Sequence, residues 1–125
     1  SVAGNDVIVI DDMISSGECM LAVGKQLKDR NANRVFVCTT FGLFTDGLKK
    51  FDEYYEKGYI HKVITTDLNY HTPELLDRPY YEPAAMGKYL ASIMDTLNHD
   101  VSVEKVRSTT SKITKLLAKN REEKK

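Results

Sequence analysis

Val7 to Ile10 form an unbroken run of four branched apolar residues, followed at once by Asp11 and Asp12. A short run of this kind predicts a strand covered on both faces and ending at the acid pair. Beyond Ser15-Ser16-Gly17 the period changes. Met20, Val23, Gly24 and Leu27 recur at helical spacing, which predicts a first helix closed by the polar stretch from Lys28 to Asn31. Ser15 precedes Glu18 by the interval of a capping box. Arg34 to Phe41 predicts a second strand. Leu48, Phe51, Tyr54 and Tyr55 mark one face of a second helix, from about Gly47 to Lys57, that Gly58 stops. Lys62 to Thr66 predicts a third strand.

Strand, helix, strand, helix, strand implies right-handed crossovers and a parallel sheet. Residues 67 to 83 read as irregular, with Pro73, Pro79 and Pro83 and a short edge strand at Tyr80-Tyr81. A third helix, Ala84 to about Leu97, is expected to turn Met86, Tyr89, Leu90, Ile93, Met94 and Leu97 toward the sheet. Val103, Val106, Thr110, Ile113 and Leu117 form a weak heptad stripe, too short for a coiled coil. A sheet of so few strands leaves an edge open, so a homo-oligomer is expected.

The 125 residues suffice for one small domain, read here as residues 1–100, with a helical tail at 101–125. Basic and acidic residues balance at 18 each, but the tail holds eight Lys/Arg against three Glu, about +5, leaving about −5 upstream. The tail reads as a solvated helix, and nucleic acid is not the expected partner. Cys19 and Cys38 make no disulfide framework, and no apolar run is long enough to span a bilayer. A cytoplasmic location without membrane association is the expectation. His61, His71 and His99 lie far apart with no ligand spacing among them, so they read as ordinary surface or loop residues.

The chemistry concentrates after the first strand. In a parallel sheet, ligands bind beyond the carboxyl ends of the strands, where helix N-termini gather. The segment from Ser15 to Cys19 offers two hydroxyls, a glycine that permits close backbone approach, and the N–H groups opening a helix. That combination receives an anion, above all a phosphate. Asp11 and Asp12 would repel phosphate, but they can accept hydrogen bonds from sugar hydroxyls or hold a hydrated Mg²⁺. A serine-glycine turn alone is most often only a cap. Joined to a carboxylate pair at a strand end, it points to a sugar phosphate.

The strand, the Asp pair and the hydroxyl-rich glycine turn together resemble the phosphoribosyl-diphosphate motif of the type I phosphoribosyltransferase fold. "RVFVCTTFGLFTDGLKKFDE" and "VITTDLNYHTPELLDRPYYEPAAMGKYLASIMDTLNHDVSV" are similar to the C-terminal domain of the ribose-phosphate pyrophosphokinases, over about Gly4 to Val103. The resemblance implies a three-layer parallel α/β fold and a transferase that moves the diphosphoryl group of Mg·ATP onto ribose 5-phosphate, giving phosphoribosyl pyrophosphate and AMP. Asp11 and Asp12 would then face the ribose hydroxyls and any Mg²⁺, and Ser15, Ser16, Gly17, Glu18 and Cys19 would surround the 5-phosphate. Thr40, Gly42 and Thr45, beyond the second strand, are second-rank candidates. Their roles would be binding and orientation, with no catalytic side chain assigned.

The loop departs from the family pattern in reading Ser-Ser-Gly-Glu-Cys. Glu18 puts an acid beside the phosphate, and Cys19 replaces a hydroxyl with a weak thiol donor. The family's ATP-site residues precede the Asp-Asp strand, so this chain alone is expected to be inactive and to act within a longer protein. Two rivals stand beside this reading. One is a regulatory or assembly module of the same fold. The other is a two-component receiver domain, with Asp67 as its phosphate acceptor.

Overall fold

The computed structural model describes residues 1–100, 102–104 and 109–123, so Val106 of the tail stripe lies outside the described residues. The chain divides into two compact units, Ser1–Ala85 and Met86–Lys125.

In the first unit, β1 (Val7–Ile14), α1 (Glu18–Asp29), β2 (Val35–Gly42), α2 (Lys49–Glu56), β3 (Lys62–Thr66), α3 (Pro73–Leu76) and β4 (Tyr81–Ala84) follow in chain order. The four strands form one sheet in the order β1-β2-β3-β4, every pair parallel. The register sets Val9 beside Val37, Val37 beside Val63 and Val63 beside Tyr81. That row, with Met20 and Leu21 of α1, Phe51 of α2 and Leu75 of α3, is the hydrophobic core.

Strictly sequential order has a consequence. Right-handed crossovers that always step the same way lay every connecting helix on the same face of the sheet. All three helices of this unit pack on the Val37–Val63 face. The alternating residues Ile8 and Ile10 point the other way and are 62% and 80% exposed. The expectation that Val7 to Ile10 is covered on both faces is therefore wrong. The parallel α/β class stands, but this unit does not itself build a second helical layer. The order also sets the receiver reading aside. A receiver follows the 2-1-3-4-5 order, with its first strand between the second and the third, whereas here β2 lies between β1 and β3.

β1 runs four residues past its apolar core, so the Asp pair lies within the strand and not after it. The short edge strand expected at Tyr80-Tyr81 is β4, shifted to Tyr81–Ala84. It is fixed at its entry by Arg78, which donates from Nε and Nη2 to the Asp52 carboxylate of α2 at 2.9 and 3.2 Å. The Tyr80 hydroxyl donates to the same carboxylate at 2.7 Å. Burial, with the Asp52 bond behind it, pushes the Tyr80 phenol well above its ordinary value.

The second unit contains α4 (Gly87–Asn98) and α5 (Thr110–Glu123). The helix expected from Ala84 starts three residues later. Its apolar stripe is not buried: Leu90, Met94 and Leu97 are exposed, and no residue of α4 is buried. Periodicity marks which face is apolar, but it does not supply a covering surface. Ile113, Leu116 and Leu117 of α5 are exposed as well.

Candidate functional site

The turn between β1 and α1 is built around Gly17. Its φ of 88° lies in the left-handed region, and it caps α1 with no side-chain hydrogen bond. A Cβ at this position would lie 2.3 Å from the Phe51 ring, so only glycine fits. Phe51 is fixed in turn by an edge-on contact with Phe44 at 5.1 Å between centroids. The β2–α2 connection braces the turn from outside. The Leu43 N–H donates to the Ile14 carbonyl at 2.8 Å and the Thr45 N–H to the Ser15 carbonyl at 3.0 Å.

This geometry opens a cavity of about 180 Å³ at the carboxyl end of β1. Asp11, Ser15, Ser16, Gly17, Glu18 and Cys19 all line it. Asp12 does not. Neighbouring residues of a strand face opposite ways, and the Asp12 N–H donates instead to Asp11 Oδ1 at 2.8 Å, holding the Asp11 carboxylate in place. The first-turn N–H groups of α1, on Glu18, Cys19 and Met20, have no acceptor within the helix and stand at the positive end of its dipole.

Ser15 and Glu18 do not form the capping box their spacing predicts. The Glu18 N–H meets Ser16 Oγ at 3.4 Å, and the Glu18 carboxylate turns to α2, where it accepts from Lys50 Nζ at 2.5 Å. That hydrogen bond, reinforced by the lysine charge, holds the Glu18 carboxyl below its ordinary range. The acid that would oppose an anion is thereby neutralised by Lys50, which no sequence pattern had singled out.

Of the second-rank residues, Thr45 reaches the turn through its backbone. Gly42 is buried, with a built Cβ at 2.7 Å from Phe44 and 2.8 Å from Thr65, and it shapes a neighbouring hollow of about 160 Å³ between the β2–α2 connection and residues 70–75. Thr40 is exposed, and its carbonyl accepts from the Thr66 hydroxyl. It does not line the cavity. His71 is more than a loop histidine: its ring packs edge-on against Tyr81 at 5.4 Å, and the Tyr81 hydroxyl shares a 2.5 Å hydrogen bond with buried Thr65.

Among the described residues, no three His, Cys, Asp or Glu side chains come together as a metal cage. Two carboxylates line the cavity, Asp11 and Glu18, and Glu18 is engaged by Lys50, which leaves Asp11 with the serine hydroxyls beside it. A Mg²⁺ carried in on phosphate oxygens, the way this ion is commonly bound, would meet Asp11 here.

The fold is that of a known class of α/β protein. A crystal structure of phosphoribosylpyrophosphate synthetase from Mycobacterium smegmatis superposes with a TM-score of 0.68 at 21% identity, over 79% of this chain and 32% of that one. The chain belongs to the phosphoribosyl synthetase-associated domain family, whose model matches residues 1–77. It is 31% identical over 102 residues to a ribose-phosphate pyrophosphokinase of Shewanella oneidensis and 28% identical to one of Pasteurella multocida. Each match covers 82% of this chain and 31% of the relative, so the chain spans about a third of the length of these curated relatives. The family that the loop and the later segments together resemble is the family found. No described helix is long and apolar enough to cross a membrane.

Proposed function

We propose that the β1–α1 turn holds the 5-phosphate of ribose 5-phosphate or phosphoribosyl pyrophosphate, as the sugar-phosphate part of a ribose-phosphate diphosphokinase. The observation that carries this is the cavity around Gly17, where two serine hydroxyls and the first N–H groups of α1 adjoin the Asp11 carboxylate. The phosphate goes to the turn and the ribose hydroxyls go to Asp11, with Mg²⁺ bridging to phosphate oxygens when it is bound. Residues 1–100 act as the phosphoribosyltransferase-like portion and 101–125 as a basic tail, in a cytoplasmic protein.

In the complete reaction ATP gives up its diphosphoryl group to the anomeric hydroxyl. Among the described residues, those lining the cavity include no Lys or Arg to meet the transferring phosphates. This chain therefore binds and orients the sugar phosphate, and it completes the transfer only together with residues outside those described. The same observation, with Cys19 in place of a hydroxyl, favours one second reading: a regulatory or assembly module that binds the ligand without catalysis.

Thermal melts of the 125-residue chain with Mg²⁺, with and without ribose 5-phosphate, test binding. Ligand at a hundred times its Kd stabilises the folded state by about 2.7 kcal/mol, so the midpoint rises by several degrees, and free ribose leaves it unchanged. No rise at millimolar ribose 5-phosphate contradicts the proposal. A rise accompanied by turnover of added ATP would remove the claim that this chain does not act alone.

A further inference from the structure

The ion pair between Glu18 and Lys50 is set by packing. Phe51 of α2 seats against Gly17, where a Cβ would lie 2.3 Å from its ring. The chain neighbours of these two residues, Lys50 and Glu18, are thereby brought together at 2.5 Å across two helices. Lys50 is the second residue of α2. A cation there faces the positive end of its own helix dipole, so α2 by itself disfavours a lysine at this position. Glu18 opens α1, where a carboxylate is favoured but takes up the same positive end that a bound phosphate would use. Glu18 lines the cavity and Lys50 does not. Asp46 and Tyr54 are the other titratable groups whose charge bears on Lys50.

Resting on the phosphate reading above, we propose that Lys50 is a positioning residue that sets the affinity for the sugar phosphate through Glu18: it cancels the carboxylate that shares the α1 N-terminus with the anion, without touching the phosphate itself. With the lysine in place the pair is close to neutral, and the N–H groups of Glu18, Cys19 and Met20 keep their attraction for an anion. With the lysine gone, a bare carboxylate in the cavity wall faces a phosphate monoester that carries about −1.5 to −2 at neutral pH. Two unit charges 4 Å apart already cost about fivefold in affinity in bulk water. Against a near-dianion at low salt the expected loss is about 5- to 20-fold. The effect belongs to charge alone, so it is present only while Glu18 is a carboxylate and it fades as salt screens the site.

Isothermal titration of ribose 5-phosphate in Mg²⁺ into the full chain and its variants tests this. Lys50→Met should bind about 5- to 20-fold more weakly than the unmodified chain at low salt, and the deficit should shrink severalfold at about 0.5 M salt, where the screening length falls to about 4 Å. Glu18→Gln should bind at least as tightly as the unmodified chain. The double variant Glu18→Gln, Lys50→Met should return to within about twofold of it, because the charge that the lysine cancels is absent. Lys50→Arg, which keeps the cation, should bind like the unmodified chain. Melting points should stay close throughout, since both side chains are more than half exposed. A Lys50→Met chain that binds as well as the unmodified one overturns the proposal. So does a loss of equal size with or without Glu18→Gln, which would put the lysine on the phosphate itself, and so does a loss indifferent to salt. An unmodified chain that does not bind ribose 5-phosphate overturns the phosphate reading and this proposal with it, whereas binding that ignores Lys50 overturns only the role of the lysine.

Discussion

Gly17→Ala lowers the stability of the chain by about 2–5 kcal/mol. A non-glycine residue in the left-handed region costs about 1–2 kcal/mol. Forcing a methyl group against a packed ring adds about 1–3 kcal/mol. The native φ is 88° and the added Cβ would meet the buried Phe51 ring at 2.3 Å, so both penalties apply at this residue. Small domains have about 5–15 kcal/mol in all, so the loss is a large fraction of the total. Chemical denaturation measures the loss. The double variant Gly17→Ala, Phe51→Leu separates the two causes: relief of the overlap should make the pair less damaging than the sum of its parts, while the backbone penalty persists. A Gly17→Ala protein within about 0.5 kcal/mol of the parent, the range of an ordinary surface substitution, would mean that the turn is not held as described.

The second large effect separates the two aspartates. Asp11→Asn should weaken ribose 5-phosphate binding by roughly 10- to 100-fold, because a hydrogen bond to a charged group contributes about 1.5–3 kcal/mol. Asp12→Asn should weaken it less than tenfold, since Asp12 stands outside the cavity and its backbone N–H, which orients Asp11, survives the substitution. Neither change should unfold the domain, because both side chains are exposed. Isothermal titration of the two variants checks the order of effects. Equal losses would mean that the aspartates act as the symmetric pair their adjacency in sequence suggests, and a larger loss at Asp12 would invert their assignment.

Much of this was readable in the chain. The apolar run from Val7, the helical spacing from Met20 and the third strand at Lys62 to Thr66 lie where the pattern puts them. The Ser15 to Cys19 turn was legible because glycine, hydroxyls and a helix start are local features. What could not be read depends on strand order and distant partners. A run of branched residues looks the same whether one face is covered or two, and only the order β1-β2-β3-β4 leaves Ile8 and Ile10 in solvent. The split between Asp11 and Asp12 follows from β1 continuing to Ile14 instead of stopping at the acids. Glu18 read as a local cap because Ser15 stood at the right interval, but its partner Lys50 is on another helix. The stripe of α4 was correctly placed along the helix, while its burial was inferred from a cover that periodicity does not provide.

The central claim is that the backbone of the β1–α1 turn receives a phosphate while Asp11 receives the sugar. The most direct measurement is a titration of isotopically labelled protein with ribose 5-phosphate in Mg²⁺, followed through the backbone amide resonances, with ribose and inorganic phosphate titrated in parallel. The account predicts saturable shifts concentrated at Gly17, Glu18 and Cys19. Inorganic phosphate should reproduce them more weakly, and ribose should leave them unmoved. Saturable binding that moves amides elsewhere and leaves these three still, or no binding at millimolar ligand, would contradict it.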